Sequence, residues 1–380
     1  MPKFTNFSFE LILFAAFLAA MLVQLWQYLY YYTRLAFYKE KDLISFTPAA
    51  SVIICARNEE DNLIGLLHFI LEQDYPEFEV VVVNDCSIDN TADILKELNK
   101  KYSNLKIVTI QESKNHSHGK KVALMMGIKG AKYDHLLLTE AGCKPNSKYW
   151  LKNMMQHLNS ETEIVLGYGA YEKRSGILNK ITRFDTFMIA LNYLSFTLAG
   201  KTYMGTGRNL AYKKSLFFKM KGFASHYHID SGDDDLFVNE AATKHNTKIE
   251  VNINSYTISR VKKSFKEWLL YKSRQGKSFK HYNFKSKIIL TIFLFSQYLF
   301  LLTFIALLIL SYLPIIVLSA FLLRLIILMI LYSKSMSLLS EKDLLIFSPL
   351  MELILLFFIY PMIKLSNIFN GNNKWTKANG

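Results

Sequence analysis

The chain has 380 residues, 51% of them apolar and 20% charged, with a formal net charge of +14. That is too apolar for an ordinary soluble enzyme, and Cys55, Cys86 and Cys143 show no zinc-site spacing. No zinc-knuckle, helix-turn-helix or ribonucleoprotein signature accompanies the basic charge, so nucleic acid is excluded as a partner and membrane lipids and phosphate-bearing substrates are expected instead.

Residues 11–32 carry no charge and end in aromatics (Trp26, Tyr28, Tyr30, Tyr31, Tyr32) ahead of Arg34, the pattern of a membrane span. A cleaved signal peptide is the rival. It fits poorly, because the n-region has only Lys3 as a basic residue and bulky aromatics stand where small residues would mark cleavage. Segment 1–34 is therefore read as an anchor.

Strands and helices then alternate. ASVIICA (50–56) reads as a strand, followed by a helix with Leu63, Leu66, Leu67, Ile70 and Leu71 on one face. EVVVVND (79–85) is a second strand, and 91–102 a helix that Asp89 or Asn90 caps. LKIVTI (105–110), a helix from Lys120 to about 131, and HLLLTE (135–140) complete the set. Continuous apolar strands alternating with helices predict an α/β fold with a mostly parallel sheet covered on both faces. Ligands of such sheets bind at the carboxyl ends of the strands. There stand Arg57, Asn58 and Glu59, then Asn84 and Asp85, then Glu140, so three strands bring carboxylates to one edge. A dinucleotide fingerprint is absent, since CARNEEDN has no glycine after the first strand. RQGKS (274–278) fails as a phosphate loop because Tyr271 stands where its first glycine belongs.

SGDDDLF (231–237) sets three adjacent carboxylates before an apolar turn. Helix-dipole stabilisation accounts for one or two of them but not three. Residues 266–282 place Trp268, Leu269, Leu270 and Tyr271 among lysines, which suggests a helix in the membrane interface. Stretches 288–310, 314–332 and 344–363 read as membrane segments, the first two joined by a tight connection at 311–313. Residues 33–287 hold 38 Lys and Arg against 27 Asp and Glu. Basic residues stay cytoplasmic, so this part is expected inside a cell (inner) membrane, with the N-terminus outside. Four crossings would leave Lys374 and Lys377 outside, so the last segment reads as a crossing or as re-entrant or interfacial. Arg324 and Glu352 lie within proposed spans, where they either pair to fix the packing or serve an acceptor lipid.

SVIICARNEEDNL, VVVNDCSIDNT, GKKVAL, LLLTEAGCKP, GTGRNLAY and SGDDDLF occur in the order of the motifs of membrane-bound glycosyltransferases of family 2, which the chain resembles over about 45–280. The resemblance implies a GT-A (Rossmann-like) nucleotide-sugar-binding domain at 45–262 and an amphipathic interface region at 263–287. C-terminal membrane segments at 288–366 and a polar tail at 367–380 would follow. It implies that Ala56, Arg57, Asn58 and Glu59 meet the base and ribose, and that Asp85 accepts a hydrogen bond from uracil or a similar base. Lys120 and Arg274 would meet the diphosphate. Relatives end the fourth strand Asp-x-Asp, whose carboxylates engage the ribose and a divalent metal, Mg or Mn, bridging the phosphates. Here the pair is Glu140 and Gly142, which leaves Glu140 as the ligand and His226 and His228 as candidate substitutes. The family's Glu-Asp-x-Asp falls on Gly232, Asp233 and Asp235, making Asp233 the expected base and Asp234 the second choice. Of Gln-x-x-Arg-Trp only Arg274 survives, and the missing tryptophan counts against a processive polysaccharide synthase. The activity implied is inverting transfer from a nucleotide-diphosphate sugar, UDP-linked, to a lipid-linked or glycolipid acceptor. A catalytically inactive nucleotide-sugar-binding protein is the rival of another class, and the intact Asp233–Asp235 run speaks against it.

Overall fold

A computed structural model describes residues 9–40, 46–111, 119–229 and 231–369. The strands in chain order are β1 (Ala50–Ala56), β2 (Phe78–Asp85), β3 (Leu105–Ile110), β4 (His135–Glu140), β5 (Cys143–Pro145), β6 (Ile164–Gly167), β7 (Gly169–Tyr171), β8 (Leu210–Lys213), β9 (Thr247–Glu250) and β10 (Thr257–Ser259). The large sheet runs β3-β2-β1-β4-β8-β6-β9. Strands β3, β2, β1 and β4 are mutually parallel, β8 is antiparallel to both neighbours, and β6 and β9 are parallel. A small second sheet orders β5-β10-β7.

The parallel half follows from its apolar runs. Ile53, Val81, Leu136 and Leu138 point into one core with Leu124 and Ile128 of the helix Lys120–Gly130. Val52, Ile54, Val80, Val82 and Leu137 point into another with Leu63, Leu67 and Ile70 of the helix Glu60–Leu71. Both faces are covered, so both residue parities are apolar. Gly127 sets the helix-to-sheet distance, because a Cβ there would come within 2.8 Å of Val83 and 2.9 Å of Ile53. The spans expected for β1, β3 and β4 are those observed. Asp89, rather than Asn90, supplies the cap of the helix Thr91–Lys101: its Oδ1 accepts from the Thr91 N–H at 3.1 Å.

The sequence does not announce the helix Ile177–Leu198. Its buried residues mix Asn179, Arg183, Asp185 and Ser195 with Phe184, Phe187 and Leu191, so no apolar stripe stands out.

Four segments are long and apolar enough to cross a membrane: Phe9–Ala36, Phe284–Ile309, Pro314–Leu338 and Lys342–Asn367. The first two pack together, with Phe17 stacked on Phe300 at 4.9 Å between ring centroids. Arg324 and Glu352 face one another at 2.7 Å, and Gln24 Oε1 accepts from Arg324 Nε at 2.9 Å. The charges within the spans therefore fix packing. The fourth segment is broken by a 3₁₀ turn at Lys342–Phe347 and a π turn at Leu355–Ile359. Both of its ends are bonded to the same domain. Asp343 accepts from Arg183 at 2.6 Å, and Asn367 accepts from Ser273 at 2.6 Å.

The expected interface helix is Phe265–Gly276, with one correction. Trp268 is buried in the protein core instead of facing outward, and Lys272 pairs with Asp185 at 2.5 Å. The helix is docked on protein through these residues.

Candidate active site

The turn after β1 is knitted to the turn after β2. Asn58 takes a φ of 54°, its N–H donates to Ser87 Oγ at 3.1 Å, and its Oδ1 accepts from the Ile88 N–H at 2.9 Å. The Glu59 N–H donates to Thr91 Oγ1 at 3.0 Å, and Glu59 Oε2 accepts from Asn62 at 2.6 Å. Ala56 and Asp85 are buried beneath, with Arg57 Nη1 3.7 Å from Asp85 Oδ2. The four residues expected at the nucleoside thus share one edge with Asp85. An ionised carboxylate there is an acceptor-only group, suited to the N–H edge of a base.

Lys120 and Lys121 open one helix and diverge. Lys121 Nζ is buried and donates to the carbonyls of His226 (2.6 Å) and Ile229 (2.9 Å). Lys120 Nζ reaches the sheet edge, 3.2 Å from Glu140 Oε1 and 2.9 Å from Asp233 Oδ2. Burial opposes the Lys120 charge, but Asp233 and Glu140 outweigh it and hold the ammonium well above the usual lysine range. Burial would likewise raise Asp233, yet Lys120 brings it below the usual carboxylate range.

The two neighbours of Asp233 are engaged differently. Asp234 caps the helix Asp235–Ala241: its Oδ1 accepts from the Asp235 N–H at 2.8 Å, and its Oδ2 from the Gly207 N–H at 2.6 Å. Burial, then Asp233 and Asp235, push Asp234 up to about 7. Asp235 Oδ2 accepts from the hydroxyls of Tyr282 (2.8 Å) and Ser278, and burial raises its pKa. Of the three expected carboxylates, Asp233 is the one paired with Lys120, while Asp234 and Asp235 build the turn that presents it. Gly232 explains the departure from the family's glutamate. Its φ is +92°, and a Cβ would lie 2.3 Å from Leu236 Cδ1.

These groups line a cavity of about 580 Å³ together with Arg274. Burial lowers the pKa of the Arg274 guanidinium. Arg208 also lines it, buried and 4.5 Å over the Tyr171 ring, while its carbonyl accepts from Thr139 and Thr257 at 3.0 Å each. Sequence reasoning assigns Arg208 no role, although GTGRNLAY contains it.

The candidate substitute ligands need correction. His226 is buried with Nδ1 2.8 Å from Ser225 Oγ and 3.5 Å from Glu240, and His228 is exposed against His281. Neither lines the cavity. Among the described residues, no group of three or more His, Cys, Asp or Glu is placed to hold a metal ion. Glu140 Oε1 already faces Lys120. A divalent ion and an ammonium about 4 Å apart repel by roughly 8 kcal/mol at an effective dielectric of about 20. Magnesium and its like are held by one or two carboxylates together with substrate phosphates and waters, and the single strand-end carboxylate here, Glu140, is already paired with Lys120, so this donor set fits them poorly.

A mostly parallel α/β sheet with acids and a cation at its carboxyl edge, carried on membrane-length helices, is a GT-A-like architecture. Residues 51–220 match the model of Glycosyl transferase family 2. Poly-beta-1,6-N-acetyl-D-glucosamine synthase of Staphylococcus aureus (strain MSSA476) is 28% identical over 193 residues, 49% of this chain and 45% of the relative. The Staphylococcus epidermidis protein of the same name is 30% identical over 169 residues, 43% of this chain and 39% of the relative. The chain therefore spans less than half the length of these curated relatives. The mannosyltransferase PcManGT from Pyrobaculum calidifontis, solved in complex with GDP-Man and Mn2+, matches with a TM-score of 0.58 at 18% identity, covering 96% of this chain and 99% of that one. That likeness is one of fold.

Proposed function

We propose that the protein transfers a sugar, with inversion, from a nucleotide-diphosphate donor to a lipid-linked or glycolipid acceptor at the membrane surface. One observation carries the proposal: the active-site cavity is continuous with the membrane helices. Lys120, Glu140 and Asp233 line one part of it, and Leu290, Phe293 and Tyr360 of the membrane segments line another. A donor held along the sheet edge and an acceptor entering between the apolar helices meet at Asp233. UDP is the proposed nucleotide, its base against Asp85 and the turn of Ala56, Arg57, Asn58 and Glu59. The sheet domain is proposed to lie on the cytoplasmic side.

In the proposed reaction Asp233 takes the proton of an acceptor hydroxyl as that oxygen attacks the anomeric carbon. The new carbon–oxygen bond forms while the bond to the phosphate oxygen breaks, and the electron pair leaves with the diphosphate. Lys120 and Arg274 face that developing charge. A processive polysaccharide synthase is the second reading, favoured by the similarity to the Staphylococcus poly-beta-1,6-N-acetyl-D-glucosamine synthases.

The test uses the full chain in detergent, a panel of radiolabelled nucleotide sugars, and extracted membrane lipid. The expected result is label from one donor in the lipid fraction, with the anomeric configuration inverted by NMR. Label in long polymer would favour the synthase, and label in neither fraction would contradict transfer.

A further inference from the structure

The geometry points to Lys120 as the replacement for the divalent cation of the donor site. We propose that this protein binds a nucleoside diphosphate with a side-chain ammonium where a metal ion would otherwise bridge the phosphates. The inference rests on the glycosyl-transfer reading and specifies how its donor is held. Lysine contact with the diphosphate is what the family resemblance already implies. The new element is that this contact substitutes for the metal.

Three observations converge. The second carboxylate of the strand-end pair is Gly142, which offers no ligand. The remaining carboxylate, Glu140, and the acid on the opposite wall, Asp233, are both within 3.2 Å of one ammonium, that of Lys120. The histidines nearest in sequence to the acidic run, His226 and His228, do not line the cavity. Lys120 therefore occupies the charge-balancing position between the two carboxylates. Its side chain is 21% exposed, so its free face is open to a phosphate oxygen. Nothing in the backbone forces the glycine. A Cβ at Gly142 would meet Asn62 Nδ2 at 3.4 Å, an ordinary contact, and the residue is not in the positive-φ region. A Cβ is therefore tolerated there, and Gly142→Asp is the substitution that would put the missing ligand back.

The experiment measures binding of UDP and, separately, of GDP to the full chain in detergent by calorimetry. Each titration is run in EDTA and in millimolar Mn2+, and Mn2+ uptake is followed by electron paramagnetic resonance. The inference expects affinity for the bound diphosphate to agree within about twofold between the two conditions, with no stoichiometric Mn2+ uptake. Lys120→Ala should weaken binding about 10-fold or more in either condition. The double variant Gly142→Asp with Lys120→Ala should recover affinity only when Mn2+ is present. A wild-type affinity that collapses in EDTA and returns with Mn2+ overturns the inference while leaving the donor reading standing. Binding of neither diphosphate in either condition contradicts the donor reading itself, and the inference with it.

Discussion

Two of the clusters that place a cation between acceptors, one in the membrane helices and one at the sheet edge, differ in what they leave open. In the membrane helices Arg324 is paired with Glu352 and Gln24, with side chains only 4% and 10% exposed for the ion pair. At the sheet edge Lys120 lies between Glu140 and Asp233, with exposures of 21% and 37% for Lys120 and Glu140 and a cavity in front of them. Arg324 is enclosed by its own helices, which is what a buried charge needs when its role is to fix packing. The Lys120 cluster keeps a face open to the cavity. Charge burial alone does not separate the two roles. The open face does.

The sharpest way to break this comparison is to remove one partner of the enclosed pair. Arg324→Met leaves Glu352 buried and uncompensated, which should destabilise the fold by about 3–5 kcal/mol. Thermal unfolding in detergent reads the loss, and Arg324→Met with Glu352→Leu should regain most of it. A single variant as stable as wild type would remove the structural role of the pair.

A smaller effect is expected at the nucleoside end. Asp85→Ala removes a charge-assisted acceptor and should weaken UDP binding by about 1.5–3 kcal/mol, roughly 10- to 150-fold. Unchanged affinity by calorimetry would move the base elsewhere along the edge.

The smallest effect is a pH slope. Asp234 is pushed up to about 7 in the fold. A raised carboxyl group stabilises the folded state below its unfolded pKa, and that contribution is lost as pH rises through the folded value. Asp234 should therefore make melting temperature fall from the usual carboxylate range up to about pH 7, against the opposite trend of His135 and His226, and Asp234→Asn should remove that component of the wild-type profile. Asp235 shifts in the same direction and keeps the remainder. Asp233 shifts the other way, so its contribution disappears only below the usual carboxylate range, outside this window. An identical slope in wild type and Asp234→Asn would contradict the assignment.

The parallel half of the sheet was legible because buried strands announce themselves as apolar runs, and Glu140 and Asp85 could be placed at their ends from the alternation alone. The Arg324–Glu352 pairing was legible too, since few partners exist for a charge inside a span. What stayed hidden depended on distant segments meeting. Lys120 and Lys121 are indistinguishable in sequence, and only the loop near His226, which captures Lys121, frees Lys120 for the carboxylates. The division of labour among Asp233, Asp234 and Asp235 likewise needs Gly207, Ser278 and Tyr282, which come from other parts of the chain. The helix Ile177–Leu198 was masked by the polar groups it buries, among them Asp185, which anchors Lys272.

The central claim is that Asp233, in the open cluster, is the group that takes the acceptor proton. Its most direct test is single-turnover transfer and donor binding measured side by side for Asp233→Asn. The predicted result is a loss of transfer of about 10²–10⁴-fold or more in a folded protein whose donor affinity stays close to wild type, because a general base acts in the transition state. Transfer that persists in Asp233→Asn but vanishes in a folded Asp234→Asn would contradict it.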